Sequence, residues 1–590
     1  MPICRCPPVV RLLLALAALL ASAPAAANSY EDWADALVGK GVEAGGASAA
    51  TVAIVKDGQV VAIRGYGKPA PGAARGIDPA RDHFQIASVS KTFAGLLLLD
   101  LVRTGAMPSL DTPANAVLKR VKLPAMGGKP ILLRHLLTHS AGFEERGFGY
   151  FDLGRMSVPA TGADIRAILP AQVRPAGTAS VYANISAPLV AMAIEDATGR
   201  RYDDLLSERL LRPLGMGATR LNLSGKPTPG LVVPFAPGGS EIPRNFNAPF
   251  FAPTGSIETT APDMARYMLA MLGEGGTPLP PELRRLATAP LAGNGPGLDS
   301  IGAFWFLSQW GSQPTWEHAG GLSGVASTLV IVPEQRLGLF VAWTASAPPL
   351  GYGEIRDSFL AAFAGPPQRA SGIGGSDPGI EGRYWTERRP HSTAEVLFFL
   401  GAVTEVTRTA DGIAINGKPV TRIAPGLYEE QAAPGRAPTR WLFRGDTLAE
   451  RVAVARKVSG LSDPAVQMKI AAASLLVALS GLLAAIWARG AARWLAPLTA
   501  LVAGGLPATV FALGGPDAIA AAMQQGDTTA FTIGGVITAA LLVLGLALFV
   551  LAIRKPGRML ARVHVALTGG AALLLGGLLT FWHLPFPLHG

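Results

Sequence analysis

Near its C-terminus the chain runs through four apolar stretches, at about 470–488, 494–514, 531–553 and 563–582. Each is close to the roughly 20 residues that a helix needs to cross the hydrocarbon of a bilayer. Four consecutive helices of this kind inside a soluble protein would need a large core around them, which makes a membrane the better solvent. None of the four contains an Asp, Glu, Lys or Arg. Buried ion or proton pathways use such residues, so the pattern favours anchoring over transport. The loops give the orientation. The first holds Arg489 and Arg493, the third holds Arg554, Lys555, Arg558 and Arg562, and the middle one has neither lysine nor arginine. Positive loops stay in the cytoplasm, so residues 28–468 are expected on the outer side. Arg456, Lys457 and Lys469, just before the first span, run against that bias.

The N-terminus leads to the same side independently. Arg5 and Arg11 flank the start of a short apolar run over 12–20, followed by Ala25-Ala26-Ala27. This is the layout of a secretory signal peptide, 1–27, cleaved after Ala27, and the run is short for a permanent span. Both cysteines, Cys4 and Cys6, precede the cut, so the mature chain would carry no thiol, disulfide or cysteine metal site. The expected location is the cell (inner) membrane, multi-pass, with the remainder periplasmic or extracellular. A formal charge of +10 raises the question of nucleic acid, but the basic residues are dispersed and form no run, so no nucleic-acid partner is expected.

Between these ends the pattern predicts an α+β domain over 28–364. Residues 51–67 read as a hairpin around Asp57-Gly58, and 327–344 as a second hairpin. Apolar helices are expected from Ser90 to a stop at Gly105, and before Gly199, with a closing helix over about 352–364. Strands at both ends imply a sheet that joins the domain's termini. A Gly-, Pro- and Ser-rich stretch, 365–379, reads as a linker. Short strands with Asp-Gly and Asn-Gly turns over 380–456 predict a small β domain, an incomplete barrel, serving as a lid or as a spacer above the bilayer. The four transmembrane helices occupy 470–583.

Chemistry concentrates at three places. In "FQIASVSKTF", Ser88 and Lys91 are three apart and share a helical face. Free serine is a poor nucleophile, and a lysine whose pKa is lowered by burial can take its proton. Ser90 points elsewhere and is given a structural part. In "VYANIS", Tyr182 can shuttle a proton if the neighbouring cation lowers the phenol pKa, and the Asn184 amide can bond Lys91 or a substrate carbonyl. In "WEHAGGLSG", His318, Gly320 and Gly321 lie on a strand of small residues along which a substrate backbone can pass, and the Gly321 N–H with that of Ser88 can form an oxyanion hole. His135 and His139 lack a third metal ligand and read as structural. No metal or cofactor is expected.

Ser-x-x-Lys, Tyr-x-Asn and His-x-Gly in this order resemble the serine β-lactamase and penicillin-binding-protein superfamily. "LLRHLLTHSAGF" and "PTGSIETTAPDMARYMLAML" point to the branch of class C β-lactamases, D-alanyl-D-alanine peptidases, D-aminopeptidases and esterases. The resemblance covers about 29–364. It implies a β-lactamase/transpeptidase-like fold, an antiparallel sheet flanked by helices. It also implies an acyl-enzyme on Ser88, general acid and base duty shared by Lys91 and Tyr182, and substrate held by Asn184 and the 318–321 strand. Many β-lactamases carry lysine where this chain has His318. A histidine is only partly charged near neutrality, which lowers the expectation of antibiotic hydrolysis. The function expected is a membrane-anchored serine hydrolase acting on a small peptide or ester substrate. A non-catalytic sensor using the same pocket and a true β-lactamase are the alternatives.

Overall fold

The computed structural model describes residues 29–584 apart from 151–164, 167, 243–246, 277–278, 345–350, 411, 525 and 555–557. The signal peptide expected over 1–27 lies outside the described residues.

Eight antiparallel strands make the main sheet: β1 (Ala49–Lys56), β2 (Gln59–Gly67), β3 (Ala292–Gly293), β4 (Ser300–Ile301), β5 (Phe306–Trp310), β6 (Gln313–Leu322), β7 (Val325–Val332) and β8 (Leu337–Thr344), in the order β2-β1-β8-β7-β6-β5-β4-β3. The first hairpin pairs with the last strand, Ala49 opposite Thr344 and Lys56 opposite Leu337, so the sheet does join the two ends. Asp57 and Gly58 both have positive φ, +50° and +81°, which matches the twist of a two-residue hairpin turn.

Runs such as "VASTLVIV" do not alternate apolar and polar because β1, β7 and β8 are covered on both faces. Their period of two instead sorts side chains into two cores. Ala53, Leu329, Ile331 and Phe340 face helices α1 (Ser90–Arg103), α2 (Ser186–Thr198) and α3 (Ala261–Leu272). Val52, Val330, Leu339 and Val341 face Trp33 and helix α4 (Tyr352–Phe363). Helix α1 passes so close to the sheet's far end that a Cβ on Gly95 would sit 2.4 Å from the Ala303 carbonyl oxygen. Helix α2 stops at Gly199, at φ +69°.

The small β domain is a closed barrel of eight antiparallel strands, from Gly382–Thr386 to Val454–Val458. The gap expected from sequence is absent because the last strand pairs back onto the first, Arg383 opposite Val458. Tyr384, Ile413, Tyr428 and Phe443 fill the interior, as side chains do in small barrels. The stretch expected as a linker follows the barrel wall rather than hanging free. Ile373 N donates to Arg422 O, and the Asp377 carboxylate takes bonds from Arg422, Gly426 N and the Tyr428 hydroxyl.

Four helices are long and apolar enough to cross a membrane: α5 (Pro464–Trp487), α6 (Ala492–Ala512), α7 (Thr529–Arg554) and α8 (Met559–Phe581). Helix α5 starts before its apolar run because Asp463 caps it, accepting from Ala465 N, with Pro464 in the first turn. Helices α7 and α8 meet at glycines: a Cβ on Gly545 would lie 2.9 Å from Gly569 O, the close approach that small residues allow between membrane helices. One end of the bundle abuts the other domains, where the His583 ring bonds the His391 carbonyl. At the opposite end Arg489, Arg493, Arg558 and Arg562 line one cavity.

Candidate active site

Ser88 sits in a single 3-10 turn, Ala87–Val89, that feeds α1. Ala87 holds a positive φ of +46°, a conformation costly for a residue with a Cβ and most often kept where a site needs it. The turn leaves Ser88 half-buried and open on one side. Lys91, in the first turn of α1, is fully buried and donates hydrogen bonds to Ser88 Oγ at 2.8 Å and to the Thr254 carbonyl at 3.0 Å. Burial holds its amine well below the ordinary lysine range, with Glu145 opposing and Arg388 adding to the effect. Ser90 turns inward, and its Oγ accepts from Ile257 N.

Tyr182 lies before α2, its N–H bonded to the Val452 carbonyl of the barrel at 3.0 Å. Its ring stacks on His139 at 4.2 Å between centroids, with the Lys91 Nζ 5.1 Å from its centre. Sequence reasoning expected the nearby cation to lower the phenol's pKa. Burial outweighs the neighbours, and the phenol is pushed up to about 12, with the Ser88 hydroxyl and Arg388 pulling the other way. Tyr182 is therefore a protonated phenol at neutral pH, suited to donate a proton rather than to act as a phenolate.

Asn184 does not reach Lys91 with its amide. Its Nδ2 donates to Glu145 Oε1 at 3.2 Å, and its carbonyl accepts from the Thr254 hydroxyl. His318 is also differently employed than expected. It is 2% exposed, its Nδ1 donates to the Ala319 carbonyl at 2.7 Å, and its ring stacks on Phe306 at 4.7 Å. Burial first, then Lys91, drives its pKa down to about 3. The imidazole is neutral rather than partly charged, and so it cannot grip a carboxylate as a cation. Its ring nonetheless lies 6.5 Å from that of Tyr182.

The glycines of β6 are explained by proximity. A Cβ on Gly320 would fall 2.2 Å from Ile86 O and 2.9 Å from Ser88 N. On exposed Gly321 it would fall 2.1 Å from the Tyr352 hydroxyl. Strand β5 pairs with β6 only as far as Glu317, whereas β7 pairs along it to Leu322. Residues 318–322 thus present an edge without a strand partner among the described residues, beside Ser88, where an extended substrate can add by backbone hydrogen bonds.

Three site residues arrive from places that local patterns did not reveal. His139, at φ +53°, stacks on Tyr182; His135, its supposed partner, instead accepts from Leu132 N through Nδ1. Glu145 is 8% exposed and accepts from the Tyr150 hydroxyl as well as from Asn184. Arg388, just past the barrel's first strand, lies 4.6 Å from the Tyr182 ring centre and 3.4 Å from Glu145 Oε2. His139 was noticed in the sequence but read as structural, and Glu145 sits in a charged Glu144-Glu145-Arg146 run that does not mark which of the three faces the site.

The loop bearing Glu145 is braced from outside the hydrolase fold. Glu395, in the turn Ala394–Phe399, accepts from Gly147 N and Phe148 N, and Phe148 is buried in one apolar cluster with Trp385, Met523, Phe531 and Leu579.

Comparison with known proteins accords with this geometry. The chain is 26% identical over 308 residues to the D-alanyl-D-alanine-carboxypeptidase/endopeptidase AmpH of Escherichia coli (strain K12), covering 50% of this chain and 78% of that protein. It is 26% identical over 344 residues to a human beta-lactamase-like protein, covering 53% of this chain but 65% of the relative's length. The crystal structure of SurE overlays with a TM-score of 0.51 at 19% identity, covering 72% of this chain and 98% of that one, which speaks for the fold alone. The Beta-lactamase family model matches residues 34–362, more than half of the sequence, and with the Ser-Lys-Tyr constellation on the same stretch, the chain belongs to the beta-lactamase family.

Proposed function

We propose that the protein is a membrane-anchored serine hydrolase whose site faces away from the cytoplasm, and that it cleaves an amide or ester through an acyl-enzyme on Ser88. The observation that carries this is the 2.8 Å hydrogen bond between a fully buried Lys91 amine and the Ser88 hydroxyl. Burial favours the neutral amine, which can accept the serine proton as Oγ attacks the carbonyl. The N–H groups of Ser88 and Gly321 would hold the oxyanion. The Tyr182 phenol would deliver a proton to the leaving group, and the edge of 318–322, with Asn184, would align the substrate. Water then attacks the ester on Ser88 and releases the acid.

The four spans support anchoring, and the arginines gathered at the bundle end away from the hydrolase support an outward-facing site. Neutral His318 offers no cation to a substrate carboxylate, whether of a β-lactam or of a peptide C-terminus, and so favours esters and amides without one at that place. D-Amino-acid peptides and cell-wall fragments are the substrate classes to try, since AmpH bears a D-alanyl-D-alanine peptidase name. The test is covalent labelling of the full-length protein in detergent with a fluorophosphonate and a fluorescent penicillin. Label that is lost in Ser88→Ala is expected, whereas absence of label under conditions that modify a control hydrolase overturns the reading.

A further inference from the structure

Lys91 is enclosed by groups from six parts of the chain besides its own turn. They are His139, Glu145, Tyr182, the Thr254 carbonyl, His318 on β6, and Arg388 beyond the barrel's first strand. Both imidazoles are held in their neutral forms by burial, His139 well below the usual histidine range and His318 at about 3. The formal charges that face the amine are then the Glu145 carboxylate and the Arg388 guanidinium, and these two pair with each other at 3.4 Å.

That pairing matters because Glu145 is poised to do harm. A buried carboxylate beside an amine stabilises the ammonium form, which cannot take a proton from serine. Glu145 is 8% exposed and held in place by Tyr150 and Asn184, so it cannot swing away into water. Arg388 meets it from the other domain. Its guanidinium also covers the Tyr182 ring at 4.6 Å from the centre, the usual geometry of a cation on an aromatic face. The barrel is fastened at the same spot, through Tyr182 N to Val452 O and through Arg451, whose guanidinium lies 4.6 Å from the Phe306 ring that backs His318.

We propose that Arg388 is a positioning residue, inserted by the barrel into the hydrolase site, that engages Glu145 and Tyr182 so that the Lys91 amine is left to Ser88. The barrel is then neither a spacer nor a passive lid. Without it the serine and lysine would still touch, but the base would be held in its protonated form by Glu145. The inference rests on the acyl-enzyme reading above.

The test is the pH dependence of the fluorophosphonate labelling rate in full-length protein. The rate should fall on the acid side as Lys91 gains a proton. Arg388→Gln removes a positive charge, so the acid limb should move to higher pH by about one unit, read as about tenfold slower labelling at a pH on the limb. Arg388→Lys should restore most of the wild-type position. Glu145→Gln should move the limb the opposite way, and the Arg388→Gln/Glu145→Gln double variant should return it close to wild type. A purely structural tie would lower the rate at every pH or reduce the melting temperature without moving the limb, and that result overturns the inference. If Arg388→Gln does not fold, Glu145→Gln decides: a limb that does not move down overturns it equally. Labelling with an unmoved limb removes this inference alone, whereas a wild type that takes no label removes the acyl-enzyme reading and this inference with it.

Discussion

Lys91 Nζ donates to Ser88 Oγ across 2.8 Å from a position with no solvent exposure. An amine there lowers its own basicity by being dry, and it does so beside the one hydroxyl that the turn at Ala87 leaves open. The pH profile follows. On the proposed mechanism Lys91 works as the free base, so kcat/KM should rise with pH through its depressed pKa and then level off. On the same mechanism Tyr182 serves as the protonated phenol, and burial pushes its pKa up to about 12, so no alkaline limb should appear up to about pH 10. Hydrolysis of an amide substrate such as a D-alanyl p-nitroanilide, whose leaving group needs the proton, measured from pH 4 to 10 checks this. A bell with a descending arm near pH 8 would assign the acid to some other group.

Tyr182→Phe keeps the ring that stacks on His139 and lies under Arg388, and removes only the hydroxyl. Folding should be little affected. The rate with poor leaving groups such as amides should drop by about 10²–10⁴, the usual worth of a placed general acid. Activated esters, whose leaving groups need no proton, should lose much less. Equal losses for both substrates would count against the assignment.

Gly320→Ala tests the approach of β6 to the nucleophile. The new methyl would meet Ile86 O at 2.2 Å and Ser88 N at 2.9 Å, both backbone atoms that can yield only by moving the turn. The expected cost is about 1–3 kcal/mol of stability from overpacking, and about 100-fold in acylation from a displaced nucleophile. Gly276→Ala, in open space, serves as the control and should do neither.

Which parts of this were legible beforehand follows from how each feature is encoded. The Asp57-Gly58 turn, the stop of α2 at Gly199 and the four apolar spans are local: a few neighbouring residues fix the backbone or choose the solvent. Ser88, Lys91 and Tyr182 stood out because their spacing carries the chemistry. The protonation states did not, because they come from burial. His318 reads as a half-charged imidazole until Phe306 and the sheet close over it, and Tyr182 reads as an acidified phenol until its desolvation is seen. Barrel closure was hidden too, since pairing Gly382–Thr386 with Val454–Val458 joins strands some 70 residues apart. Arg388 comes from farther still. It lies more than 200 residues from the Tyr182 it covers, in a segment whose own pattern says only that it is basic.

Phe148→Ala asks whether the bundle supports the site. Phe148 is 1% exposed and shares its cluster with Met523 and Phe531 from the C-terminal segment, three residues along from Glu145. Emptying that place should cost about 3–5 kcal/mol of local packing. The loop that carries Glu145 should loosen, seen as faster amide hydrogen exchange over 144–150, while exchange in β7 and β8 stays unchanged. Unaltered exchange in the loop would mean that the bundle merely tethers the hydrolase.

Topology gives the last prediction. The helices alternate, so the loop after α5 and the one after α7 share one end of the bundle, and Pro516–Gln524 lies at the other, where Met523 and Gln524 flank Gly147. If the arginine-lined end is cytoplasmic, a cysteine at exposed Ala518 should react with a membrane-impermeant maleimide in intact cells or spheroplasts. A cysteine at exposed Gly490 should react only after permeabilisation. Both native cysteines precede residue 27 and would leave with a cleaved signal peptide, so the background should be silent. Ala518→Cys that labels only in opened cells would turn the hydrolase inward. That result would exclude any substrate outside the cytoplasm, cell-wall fragments first, while leaving the chemistry of Ser88 untouched.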